Sequence, residues 1–138
     1  MKRKLLVVDD DPVLRKIART MMEAAGFLVQ DAVDGPNGLA QAETFQPDVI
    51  VLDLMMPGMD GYEVCRRMKA SSATKAIPVV FLTTSPDNSL NRLAYEAGAL
   101  ACVTKPFRRE SLVAAIEVVL DQAARGVTGE KKPELRNT

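Results

Sequence analysis

Among its 138 residues the sequence has no histidine and no tryptophan, only two cysteines, and 4% aromatic residues. Without histidine, the commonest general base and nitrogen ligand for metals is missing. Any chemistry must therefore run on carboxylates, hydroxyls, lysine and backbone. Cys65 and Cys102 show neither metal-ligand spacing nor a disulfide-rich context, so both are expected to be reduced. An excess of either charge is missing too, since 18 basic and 18 acidic side chains cancel. That balance leaves no electrostatic footprint for nucleic acid, and Arg108-Arg109 is too small a cluster to supply one. No apolar stretch reaches the roughly 18 residues of a membrane span. The apolar run after Met1-Lys2-Arg3-Lys4 is cut short by three aspartates, which argues against a signal peptide and for a cytoplasmic address.

What is present is alternation. An apolar fraction of 47% and a charged fraction of 26% suit one globular domain with a full core. Apolar runs at residues 5–8, 49–52, 79–82 and, more weakly, 99–104 read as strands buried on both faces. Residues 27–32 read as the second strand in chain order, making five. Helical patterns lie between them. Pro12 sits where a first helical residue is favoured, Leu14, Ile17, Met21 and Ala25 mark one face, and Gly26 stops the helix. A helix over residues 35–45 turns Leu39 and Ala42 inward, and Tyr62, Val64, Cys65 and Met68 carry a third. Ser85-Pro86-Asp87 opens a fourth, ended by Gly98, and Leu112, Ala115, Ile116 and Val119 form the last. Five strand–helix units predict an α/β fold, a doubly wound five-stranded parallel sheet with helices on both faces. Residues 1–125 read as one domain, and the polar residues 126–138 as a flexible tail or the start of a linker.

The informative residues stand where the runs end. The first run ends in Asp9-Asp10-Asp11, the third strand in Asp53, the fourth in Thr83-Thr84 and the fifth in Lys105-Pro106. Ligands bind beyond the carboxyl ends of the strands in an open parallel sheet, so these side chains should converge on one edge. Acids, a hydroxyl and an ammonium gathered there suit a divalent metal and a phosphoryl group. Asp11, before Pro12, reads as a helix cap. Asp53 precedes Leu54-Met55-Met56, where no helix needs a cap, and a lone buried carboxylate would be costly. The many methionines, Met55 included, read as core or loop packing rather than a cofactor site.

Four motifs follow one another: Val7-Val8-Asp9-Asp10-Asp11-Pro12, residues 52–61 around Asp53, Thr83-Thr84 after a strand, and Lys105-Pro106-Phe107. Together, over residues 4 to about 124, they resemble the receiver domain of two-component response regulators. The resemblance implies a flavodoxin-like receiver fold with sheet order 2-1-3-4-5 and the site at its switch point. It implies that Asp53 is the phosphoacceptor, forming an acyl phosphate. Asp10, Asp53 and the backbone carbonyl of Met55 would ligate Mg²⁺, with Asp9 acting mainly through a metal-bound water. Lys105 would pair with Asp53 when empty and with phosphoryl oxygens when loaded. Thr83 would donate its hydroxyl to the phosphoryl group, pulling its loop inward as a switch. The Lys105-Pro106 bond is expected to be cis. A histidine kinase or histidine phosphotransfer protein would be the donor, docking near Leu14, Ala18, Pro106 and Phe107. A homodimer or output partner would use the face of the fourth helix, fifth strand and last helix. Nucleic acid and membrane are not expected as partners, and the protein would modify itself rather than turn over free substrates.

Three positions depart from the family pattern. Receivers commonly carry Tyr or Phe three residues before the site lysine, and here Cys102 removes the aromatic half of the switch. The two positions that tune the lifetime of the phosphoryl group are Met55 and Ser85. Neither is a strong base or a charged clamp for a hydrolytic water, so autodephosphorylation should take minutes to hours. Two other readings compete: a degenerate receiver serving as a phosphorylation-independent protein-binding module, and a Mg²⁺-dependent phosphohydrolase. The latter needs a second aspartate two residues after the acceptor, where Met55 stands.

Overall fold

A computed structural model of the chain describes residues 2–84, 96 and 98–126. Within them lie β1 (Lys4–Val8), α1 (Pro12–Ala24), β2 (Leu28–Ala32), α2 (Gly35–Phe45) and β3 (Val49–Asp53). Then come α3 (Gly61–Lys69), β4 (Val79–Thr83), β5 (Ala101–Thr104) and α4 (Arg109–Ala124). The helix expected from Ser85 and the tail expected after Gly126 fall outside the described residues. No described helix is long and apolar enough to cross a membrane.

The strands make one parallel sheet of order β2-β1-β3-β4-β5. Its topology follows from the handedness of parallel crossovers: α1 and α4 cover one face, α2 and α3 the other. The two core clusters record this division. Leu5, Val7, Val49, Val51, Val80 and Leu82 pack with Ala18 and Met22 of α1 and with Leu112, Ile116 and Val119 of α4. Leu6, Val8, Ile50, Leu52 and Phe81 pack on the other side with Ala42, Val64, Cys65 and Met68. Strands β3 and β4 are buried at every residue, as continuous apolar runs require.

The edges differ. β2 mixes exposed and buried residues, and β5 is half-buried at Ala101, Cys102 and Val103 and exposed at Thr104. Burial of residues 99–104 on both faces was expected; β5 is instead only partly covered, at the edge position that the expected order 2-1-3-4-5 gives it.

The inward stripe of α1 also differs from the expected one. Ala18 and Met22 are buried and Leu14 half-buried, whereas Ile17 and Ala25 are exposed. Leu14, Ala18 and Met22 repeat at four residues, and Leu14, Ile17 and Met21 have equally helical spacing, so periodicity alone does not choose between them. The small Ala18 is the residue that lets the helix lie close to the sheet. Gly26, with φ 101°, ends α1 in the left-handed conformation that sequence and structure both assign to it.

Phe81 is fully buried in the middle of β4, with the Tyr62 ring edge-on at 5.8 Å. Phe81→Ala should lower unfolding stability by about 3–5 kcal/mol, read as a reduced urea midpoint at unchanged slope.

Candidate functional site

The four strand ends named by the sequence meet at one edge. Each of the first three helices at this edge begins with an aspartate cap. Asp11 accepts from the Val13 amide at 2.9 Å, Asp34 from Asn37 at 2.9 Å and Asp60 from Glu63 at 3.0 Å. Three carboxylates are thus spent on helix N-termini, where the dipole and free amides favour them. Asp11 is a cap, as its place before Pro12 implied.

Asp9, Asp10 and Asp53 have a different arrangement. Asp9 follows β1, and its Oδ1 accepts from the Asp11 amide at 3.0 Å. Asp53 is the last residue of β3. Asp9 is 1% exposed and Asp53 3%, while Asp10 is open to solvent. One carboxylate oxygen from each of the three lies within 4.8 Å of the other two. An all-oxygen set of this size suits a hard divalent cation such as Mg²⁺.

Lys105 enters from the end of β5. Its Nζ donates to Asp53 Oδ1 at 2.9 Å and stands 3.6 Å from Asp9 Oδ2. The Lys105 amide donates to the Thr83 carbonyl at 2.7 Å, extending the β4–β5 ladder by one bond. The Lys105-Pro106 peptide is cis. Thr83 ends β4 and is buried.

Burial pushes the Asp53 carboxyl up to about 6 from its ordinary 3.8. The Lys105 hydrogen bond opposes that rise, and the neighbouring Asp9 charge adds to it. The acceptor candidate is thus a carboxylate whose ionised form is held by one lysine against both desolvation and a like charge.

Other residues singled out by the sequence are scattered around this edge. Met55 lies two residues beyond Asp53 with its side chain 64% exposed. Pro106 is exposed, and Phe107 is half-buried against the α1–α4 core cluster. Ala18 was expected on the docking surface but is buried, because it faces the sheet. Cys102, opposite Phe81 in the β4–β5 register, is half-buried against the other cluster. Both cysteines are free; burial raises the Cys102 thiol and pushes that of Cys65 up to about 12. Ser85 lies outside the described residues.

One site residue was not legible beforehand. The Gly61 amide donates to the Leu54 carbonyl at 2.9 Å. A Cβ at this position would stand 2.6 Å from the Asp53 carbonyl oxygen and 2.8 Å from Leu54 Cα. The start of α3 therefore presses directly on the backbone of Asp53. The available signal was a glycine immediately after the capping Asp60, a place where no turn requires one.

Two outcomes are expected. Gly61→Ala should displace the Asp53 loop and cost about 1–3 kcal/mol in thermal unfolding. Asp53 keeps its proton to about pH 6 in the fold but releases it near 3.8 when unfolded. Its contribution to stability is therefore present below about 3.8 and lost as pH rises towards 6. In EDTA, Asp53→Asn should gain on the parent protein across that window, by on the order of 3 kcal/mol. An unchanged difference between the two proteins across the window would contradict the assignment.

Residues 5–117 match the response regulator receiver domain family. The DNA-binding dual master transcriptional regulator RpaA of Synechocystis is 37% identical over 97% of this chain and 56% of its own length. The DNA-binding response regulator MtrA of Mycolicibacterium smegmatis is 38% identical over 87% of this chain and 51% of its own. The chain thus spans about half the length of these two relatives. The chemotaxis protein CheY4 of Vibrio cholerae superposes with a TM-score of 0.83 at 32% identity, over 86% of this chain and 99% of that one. The parallel sheet of order β2-β1-β3-β4-β5 agrees with these matches, and the chain belongs to the receiver domain family of two-component response regulators.

Proposed function

We propose that this receiver is a phosphoacceptor switch, loaded on Asp53 by a phosphohistidine donor and altered in its partner binding when loaded. The observation that supports it best is the buried Asp53 carboxylate, paired with Lys105 and grouped with Asp9 and Asp10. Asp53 attacks phosphorus: one carboxylate oxygen bonds to it as the phosphorus–nitrogen bond of the donor imidazole breaks. The electron pair returns to the ring nitrogen, and the imidazole leaves neutral, keeping the proton on its other nitrogen. Asp10, Asp53 and the Met55 backbone carbonyl would hold Mg²⁺, with Asp9 beside them. Bound there, the cation supplies neutralisation of the charge that carboxylate and phosphoryl oxygens share.

Lys105 keeps Asp53 ionised in the empty state and then turns to the phosphoryl oxygens. Thr83 donates its hydroxyl to the loaded group, and its loop carries the signal outward. With Cys102 at the usual aromatic position, that movement proceeds without a rotating ring. The donor is a histidine kinase or a histidine phosphotransfer protein. The exposed apolar side chains of Val13 and Met55, with Pro106, border the acids and offer it a surface. Homodimerisation through the β5–α4 side is the natural output contact. The balanced charge of these residues leaves nucleic acid without a role here, although two relatives bear DNA-binding names. The protein acts on itself, in the cytoplasm, and turns over no free substrate.

Intact-mass spectrometry after incubation with acetyl phosphate tests this reading. One added phosphoryl group should appear, and should vanish in EDTA or in Asp53→Asn. No adduct, with no beryllofluoride complex either, would favour a degenerate binding module. The adduct should decay over minutes to hours in Mg²⁺, because Met55 offers no base to an attacking water. Decay within seconds would contradict that role for Met55.

A further inference from the structure

We propose that Arg15 is the positioning residue of the acidic loop, and that Asp31 holds it in place. This rests on the reading that the acids bind Mg²⁺. Arg15 Nη1 donates to the Asp9 backbone carbonyl at 2.8 Å, and its Nε donates to Asp31 Oδ2 at 3.2 Å. The Arg15 side chain is only 17% exposed, so this fork is largely shielded from competing water. Asp31 is itself fixed from three sides. It sits in the β2 ladder opposite Val7, its other carboxylate oxygen accepts from Arg19 Nη1 at 3.1 Å, and Gln41 donates to its carbonyl at 2.9 Å.

The consequence falls on Asp10. Among the described residues no hydrogen bond or ion pair holds its side chain, which is exposed. Its direction is set by the backbone on either side. The Asp9 carbonyl, which begins the peptide leading into Asp10, is clamped by Arg15. The Asp11 amide, which ends the next peptide, is clamped by the Asp9 carboxylate. The Asp9 amide is tied to the Ala32 carbonyl at 3.2 Å, and Asp11 caps α1. Without Arg15 the Asp9–Asp10 peptide loses the tie on its carbonyl, and the remaining bonds on either side hold Asp10 less firmly towards Asp53. A planar guanidinium can reach a carbonyl and a carboxylate together, whereas an ammonium on a flexible stem satisfies the pair less well.

Calorimetric titration with Mg²⁺ alone tests this, on the full chain, with thermal unfolding recorded for each variant. Arg15→Met should weaken Mg²⁺ binding roughly tenfold, as expected for a group that orients a ligand. Arg15→Lys should recover part of the loss. Arg19→Met shares Asp31 but does not touch Asp9, and should stay within about twofold of the parent. A purely structural role would lower the unfolding temperature of the Arg15 and Arg19 variants without separating their Mg²⁺ affinities. An Arg15→Met protein that binds Mg²⁺ as tightly as the parent overturns the proposal, as does an equal loss in Arg19→Met. If Arg15→Met does not fold, Arg15→Lys and Asp31→Asn decide: weakened Mg²⁺ binding in both supports the clamp, and parental binding in either overturns it. A parent chain that binds no Mg²⁺ at all removes the functional reading itself, and this inference with it.

Discussion

Like charges held together out of water are the constraint on which the site depends. Two buried carboxylates and a third at the rim share one sheet edge, with Lys105 as the cation between the buried pair. Two unit charges at about 4 Å interact by about 4 kcal/mol at the screening usual near a protein surface. A cluster of this kind survives in the fold only if the backbone beneath it cannot relax away. Asp53 sits on β3, which is buried throughout and flanked by two strands. Gly61 lets α3 close against the same backbone, and Lys105 is fastened to Thr83 by the last bond of the β4–β5 ladder. The repulsion is therefore retained in the fold, where a bound cation or a transferred phosphoryl group can change it.

The same arrangement separates what is fixed from what can move. The floor of the site consists of central strands with side chains locked between two core clusters. The rim carries apolar side chains that face solvent, Val13 in the first turn of α1 and Val33 and Met55 in loops. Thr83 lies at the boundary, buried on a rigid strand yet followed at once by an exposed Thr84. A signal that starts at Asp53 can reach the surface there without disturbing the core.

Much of this was legible in the sequence because parallel strands announce themselves as apolar runs, and their ends announce the site. Asp9, Asp10, Asp53, Thr83 and Lys105 all stand at the edge where the runs placed them. The inward stripe of α1 was less legible, since two sets of apolar residues share the helical period and only packing separates Ala18 from Ile17. The partial exposure of β5 was hidden because a short apolar run does not reveal how fully its faces are covered, although the order 2-1-3-4-5 already placed it at an edge. Gly61 and Arg15 were missed for a deeper reason. One acts by lacking a side chain, the other by reaching a backbone carbonyl, and only the glycine after Asp60 left a trace in the sequence. Cys102 was legible as a departure, and its half-buried place beside Phe81 shows that packing accepts it where a ring is usual.

The central claim is that Asp53 is an acceptor kept under electrostatic strain that a divalent cation relieves. Carbon-13 NMR of the aspartate carboxyls, titrated in EDTA and again in saturating Mg²⁺, tests it most directly, with Asp53→Asn to assign the resonance. Asp53 should titrate near pH 6 in EDTA, and its midpoint should fall well below that when Mg²⁺ is present. An Asp53 resonance that titrates at its ordinary 3.8 in EDTA, with no response to Mg²⁺, would contradict the account.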